Sequence, residues 1–104
     1  FKIILPECKE DFIEEGKAMH NCVGGYFERV LEGRCTVLFL RKKEDMESSF
    51  CTVEIVGTEL MQCRAKCNQS APQEAMRFME KFLKELKKRL KKKLKVENRI
   101  KVAV

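Results

Sequence analysis

Met76, Met79, Phe82, Leu83, Leu86, Leu90 and Leu94 recur every three or four positions, the spacing of one face of an α-helix. No other feature of the sequence restricts the fold as strongly. Ser70-Ala71-Pro72-Gln73 has the form of a capping box, which predicts a helix start at Ser70. A helix from there to Lys95 is about 37 Å long, longer than the body of a chain of 104 residues. Its first half must cover an apolar surface. Its second half projects, packs on a partner or frays. Arg99 to Val104 read as a terminal strand or a disordered tail.

The surface to be covered is a sheet. Arg34–Arg41, Phe50–Val56 and Leu60–Lys66 are rich in apolar and β-branched residues and read as strands, with the charged segment Lys42–Ser49 as a loop. A three-residue hairpin loop, Gly57-Thr58-Glu59, puts Val56 opposite Leu60 and Glu54 near Gln62. Cys51, Val53, Ile55, Met61, Cys63 and Ala65 then share one face, and Thr52, Glu54, Gln62 and Arg64 the other. A two-residue loop mixes the faces, so the hydrophobic pattern selects the longer one. Upstream, Glu7–Met19 reads as a helix entered through Pro6, with Phe12, Ile13, Gly16 and Met19 as its buried stripe. His20 to Gly25 is a turn, and Gly25–Glu32 a second, short helix with Val23, Tyr26, Phe27, Val30 and Leu31 at helical spacing. Gly33 suits a left-handed helix end. The expected class is α+β: two N-terminal helices, a three-stranded antiparallel sheet and a long C-terminal helix packed on the apolar sheet face.

The length suits a single domain over residues 1–104. Charge is unevenly placed. Residues 1–80 hold eleven basic and fourteen acidic residues, whereas residues 81–104 hold eleven basic residues against Glu85 and Glu97. A +9 end on a −3 body invites a polyanion or an acidic protein. No run of eighteen apolar residues occurs, so no membrane span is expected. No secretory leader pattern precedes the domain, so no signal peptide is expected in this stretch, and Phe1 rather than Met in first place suggests a piece of a longer protein or a trimmed chain. Six cysteines, most of them in apolar stretches, read as reduced thiols of a cytoplasmic chain, with no disulfide and no bound metal.

Gly16-x-x-Met19-His20-x-Cys22-Val23-Gly24-x-Tyr26, with Val30 and Gly33 after it, resembles the central signature of the PcfJ-like family. Leu40-Arg41, Thr52-Val53-Glu54-Ile55 and Gln62-x-Arg64-x-x-x-Asn68 resemble its later blocks in the same order and spacing. The resemblance covers about residues 5–85 and leaves residues 86–104 as a basic extension. Ala65 stands where the family usually has Gly. The resemblance implies a context of conjugative plasmids and other mobile elements, often within longer proteins. It implies no enzymatic activity.

Three sets of residues offer chemistry. His20 and Cys22, with Tyr26 and Glu54, are catalytic candidates if imidazole and thiol meet. The bland alternative packs Cys22 in the core and bonds His20 to turn backbone. His20, Cys22, Cys63 and Cys67 can also be read as zinc ligands, but the second pair fits zinc spacing loosely, and alternation points Cys63 and Cys67 to the apolar face. Arg41, Thr52, Glu54, Gln62, Arg64, Lys66 and Asn68 form a polar set, at least four of them on one sheet face. They read either as a ligand or nucleic-acid site, with Arg64 and Lys66 meeting phosphate, or as a structural network in which Arg41 pairs with Glu54. Lys84, Lys87, Lys88, Lys91, Lys92 and Lys95 cover the non-apolar surface of the last helix. They read as a solvated face, a non-sequence-specific nucleic-acid surface or a dock for an acidic protein. The leading expectation is a non-catalytic accessory module without cofactor, binding nucleic acid, a protein partner or the rest of a longer parent chain. An enzyme centred on the His20/Cys22/Tyr26 turn is the alternative.

Overall fold

The computed structural model describes the backbone of residues 1–103 and the side chains of residues 1–99. Continuous apolar character in Val37-Leu38-Phe39-Leu40, all buried, requires cover on both faces of that strand. The fold supplies it. Four strands, β1 (Lys2–Ile4), β2 (Thr36–Arg41), β3 (Cys51–Val56) and β4 (Glu59–Arg64), form an antiparallel sheet in the order β1-β2-β3-β4. On one face lies α3 (Gln73–Ala103), whose Ala75, Met79 and Leu83 bury against Leu38, Leu40, Cys51, Val53, Ile55 and Cys63. On the other face α1 (Lys9–Met19) brings Phe12 onto Val37 and Phe39, joined by Cys35 and Val23.

The α+β class and the long C-terminal helix are as expected; the sheet has four strands rather than three. β1 is only three residues long, too short to carry its own alternation signal, and pairs Ile4 with Phe39 and Lys2 with Arg41. The second helix is shorter than expected. A 3₁₀ turn, Val23–Gly25, leads into α2 (Phe27–Leu31) of five residues, and Leu31 is exposed, as is Ile13 of the expected α1 stripe. Glu15 takes its place in the buried row.

The hairpin corrects the expected loop. Val56 pairs with Glu59, so the loop is Gly57-Thr58, with Gly57 at φ +63°. Tight hairpins favour glycine where φ is positive. The register then shifts between Glu54 and Ile55. Ile55 faces Leu60, while Glu54 faces Gln62 and Val53 faces Cys63. Met61 is the extra residue of a β-bulge and stands 57% exposed, whereas Leu60 packs on the core in the place expected for Met61. The expected pairing of Glu54 with Gln62 therefore holds and that of Val56 with Leu60 does not.

Ser70 does not cap α3. Its backbone bridges to Arg64, and the Ala75 and Met76 amides in the first turn of α3 donate to the Pro72 carbonyl. A helix starting at Ser70 would give up that extension of the sheet edge. At the far end the chain stays helical to Ala103, which replaces the expected strand or disordered tail over Arg99–Ala103; Val104 lies outside the described residues.

Candidate binding cleft

The turn after α1 is built by close backbone approach. His20 takes a left-handed conformation at φ +51° and closes the helix onto the Gly16 carbonyl. A Cβ on Gly16 would stand 3.1 Å from the Gly24 amide nitrogen, so two of the signature glycines meet where the chain folds back. Asn21 fixes the turn. Its Oδ1 accepts from the Val23 amide at 3.0 Å and its Nδ2 donates to Thr52 Oγ1 at 3.2 Å. The first bond is an Asx turn, the usual reason for Asn at such a position; the second ties the turn to the sheet. Asn21, with Gly24 and Gly25, marks the turn expected over His20–Gly25, but local sequence carries no signal for its bond to Thr52.

On the α1 face of the sheet Val37 and Phe39 of β2 are buried, Thr52 and Glu54 of β3 half-buried, and Gln62 and Arg64 of β4 exposed, so the border between covered and open sheet lies at β3. Along that border runs a cleft of about 50 Å³, lined by Asn21, Cys22, Val23, Tyr26, Val37, Thr52, Val53, Glu54, Gln62, Arg64 and Asn68. Sites for small-molecule substrates usually enclose about 300–1,000 Å³. This one holds water or a protruding polar group. Among the described residues, the side chains of Gln62, Arg64 and Asn68 make no hydrogen bond within the protein, and Glu54 stands beside the Cys35 thiol. Asn68 is presented by a strained loop, the 3₁₀ turn Lys66–Asn68, in which Cys67 and Asn68 have φ of +59° and +58°. Asn tolerates that region, Cys much less.

Of the expected polar set, Thr52, Glu54, Gln62, Arg64 and Asn68 share the cleft with Cys22 and Tyr26. Arg41 and Lys66 do not line it. The expected Arg41–Glu54 pair is absent for a geometric reason. Glu54 sits opposite Val37 on β2, four residues from Arg41 and thus about 13 Å along the strand. Arg41 instead pairs with Glu15 of α1, Nη1 to Oε2 at 2.8 Å and Nη2 to Oε1 at 3.1 Å, and Ser49 Oγ also donates to Glu15. A carboxylate in the apolar row of α1 was the sequence signal for this buried pair.

His20 is exposed and is not a lining residue of the cleft, although Cys22, Tyr26 and Glu54 are. Cys22 is exposed rather than packed in the core, and Cys67 is exposed rather than on the apolar face. Cys63 is buried under α3 with Cys51, so the four residues weighed as zinc ligands do not converge. Among the described residues no group of three or more His, Cys, Asp and Glu side chains stands where it can hold a metal ion. Cys35, Cys51 and Cys63 are buried; Cys8, Cys22 and Cys67 are exposed. Burial, with the Glu54 carboxylate close by, pushes the Cys35 thiol up, and the adjacent Cys63 thiol together with burial pushes Cys51 up. A thiol reagent at neutral pH should therefore modify Cys8, Cys22 and Cys67 rapidly, with the buried three reacting only on unfolding. Rapid native labelling of Cys51, read by peptide mass, would refute that burial.

The second surface is α3. Lys84, Lys87, Lys88, Lys91, Lys92 and Lys95 are all exposed. Lys87 Nζ stands 3.3 Å from Glu59 Oε1 of the hairpin.

The fold and cleft define a small α+β module whose polar groove is built from a glycine-rich turn and one half of a sheet face. The chain belongs to the PcfJ-like protein family, whose pattern matches residues 1–79. All cleft residues fall inside that match, while Lys84–Lys95 fall outside it. The chain is 37% identical over 70 residues to the "Uncharacterized protein Lin1253/Lin1744" of Listeria innocua, a match covering 65% of this chain and 16% of that protein. It thus spans well under two thirds of that relative. No solved structure matches it. Among the described residues no helix is long and apolar enough to cross a membrane.

Proposed function

We propose that this chain is a non-catalytic accessory module of a mobile-element or conjugation protein, working in the cytoplasm and holding nucleic acid along α3. One observation carries the reading. Past Leu83, the last buried residue of α3 among the described ones, the helix continues to Ala103 with exposed lysines at 84, 88, 91 and 95. That spacing keeps them on a single face. Lys84–Lys88, Lys87–Lys91, Lys88–Lys92 and Lys91–Lys95 are like-charge pairs four residues apart. Each costs the helix about 0.2–0.5 kcal/mol, which a row of phosphates offsets. The binding is electrostatic and without sequence preference. A catalytic reading has less support, because the only histidine stands outside the cleft and the cleft is small.

Fluorescence anisotropy with labelled duplex and single-stranded DNA tests this. At about 50 mM salt the chain should bind both, and log affinity should fall with log salt by about 0.9 for each duplex phosphate neutralised. Changing Lys84, Lys88, Lys91 and Lys95 to Gln should flatten that slope and leave the circular dichroism of the body unchanged, since none of the four is buried. Absence of binding to either form at that salt would remove the proposal.

A further inference from the structure

The apolar stripe of α3 does not end where the sheet ends. Leu86, Leu90 and Leu94 follow the buried Leu83 at three, seven and eleven residues, so they lie on the face that buries in the body. Leu86 is half-buried, while Leu90 is 43% and Leu94 59% exposed. Phe78, Phe82 and Leu86, flanked by Lys81, Glu85 and Arg89, already form an open groove at the start of this overhang. Lys84, Lys88, Lys91 and Lys95 lie about a third of a turn around the helix from this strip, and Lys87 borders it. Leu86 packs at the edge of the core, and beyond it Leu90 and Leu94 form an apolar strip exposed among the described residues, edged by Lys87 on one side and by Arg89 and Lys93 on the other.

Charge decides what can cover it. Residues 84–99 carry nine basic side chains against Glu85 and Glu97. A second copy would bring the same excess, so like charges would meet across the contact. A carboxylate does the reverse, as Glu59 beside Lys87 shows. We propose that the overhang of α3 docks an acidic amphipathic helix of a partner protein. That helix sets its apolar row on Leu86, Leu90 and Leu94 and its carboxylates beside Lys87, Arg89 and Lys93. The proposal uses a different stripe of the helix from Lys84, Lys88, Lys91 and Lys95 and stands or falls separately from the nucleic-acid reading.

The probe is a synthetic helical peptide with Leu at the a and d positions of each heptad and Glu at the flanking positions. A control peptide keeps every Glu and carries Ser for Leu. Titration calorimetry of the full chain should show binding of the Leu peptide, and the control should bind about tenfold more weakly or worse. Leu90→Gln with Leu94→Gln, both at exposed sites and neutral in charge, should weaken the Leu peptide by a similar factor while keeping the salt slope on DNA. The four-lysine variant should keep peptide binding and lose the slope. No binding of the Leu peptide, or equal binding of the two peptides, overturns the proposal. So does a dimer of the chain alone that the Leu90/Leu94 variant dissociates in sedimentation equilibrium, which assigns the strip to a second copy. Capture by phosphatidylglycerol vesicles that the same variant abolishes also overturns it, in favour of a lipid surface.

Discussion

Replacing Arg41 with Leu is expected to remove about 3–5 kcal/mol of folding stability, the usual result of leaving one member of a buried ion pair behind. The Arg41 and Glu15 side chains are 11% and 2% exposed, and the guanidinium meets both carboxylate oxygens. Without it, the buried Glu15 carboxylate keeps only the Ser49 hydroxyl. A chain of this size has about 5–15 kcal/mol in hand, so the variant should be near the edge of folding. Urea denaturation reads the effect as a midpoint lower by about 2 M, at a slope near 2 kcal/mol per molar. Glu15→Leu together with Arg41→Leu should recover most of the loss, because it removes the stranded charge along with the pair. A single variant that loses under about 1 kcal/mol would mean that the pair is solvated. The functional link is indirect. This pair clamps α1 to the end of β2, and α1 leads into the turn that walls the cleft.

Phe12→Ala is expected to be almost as costly, at about 3–5 kcal/mol for a large side chain lost from a packed core. Phe12 is 2% exposed and meets Phe27 and Phe39 edge to face at centroid distances of 5.7 and 6.2 Å. It is the main apolar residue by which α1 and the following turn sit on the sheet. The midpoint of thermal unfolding should fall by more than 10 °C, at about 4–8 °C per kcal/mol for a domain near this size. Ile13→Ala, one residue along and 37% exposed, is the control and should cost well under half as much. Equal losses at the two positions would mean that α1 is rotated from the orientation described.

Much of the architecture was legible because its signals are local. Heptad-like spacing marked α3, alternation marked β3 and β4, and Gly33, at φ +74°, closed the short helix as its position suggested. The grouping of Thr52, Glu54, Gln62 and Arg64 on one sheet face also followed from alternation alone. Elsewhere neighbouring signals compete. The apolar pattern argued for a three-residue loop, yet a tight turn at Gly57 with a bulge at Met61 satisfies the same pattern further down the strands. Ser70 had the chemistry of a helix cap, but its backbone was taken by the sheet edge.

The periodicity of this sequence by itself determined an amphipathic helix longer than the body and a strand pair with one polar face, as its charge placement determined a basic end after a mildly acidic body. The first two follow from side chains repeating every 3.6 or every two residues, which needs no knowledge of distant partners. Only the tertiary structure decided that Arg41 belongs to Glu15 and not to Glu54, that Cys22 lines a cleft and His20 does not, and that Lys2–Ile4 is a strand. Each of these depends on which residues, 26 or more positions apart, come to lie across a sheet or under a helix, and local spacing carries no record of that.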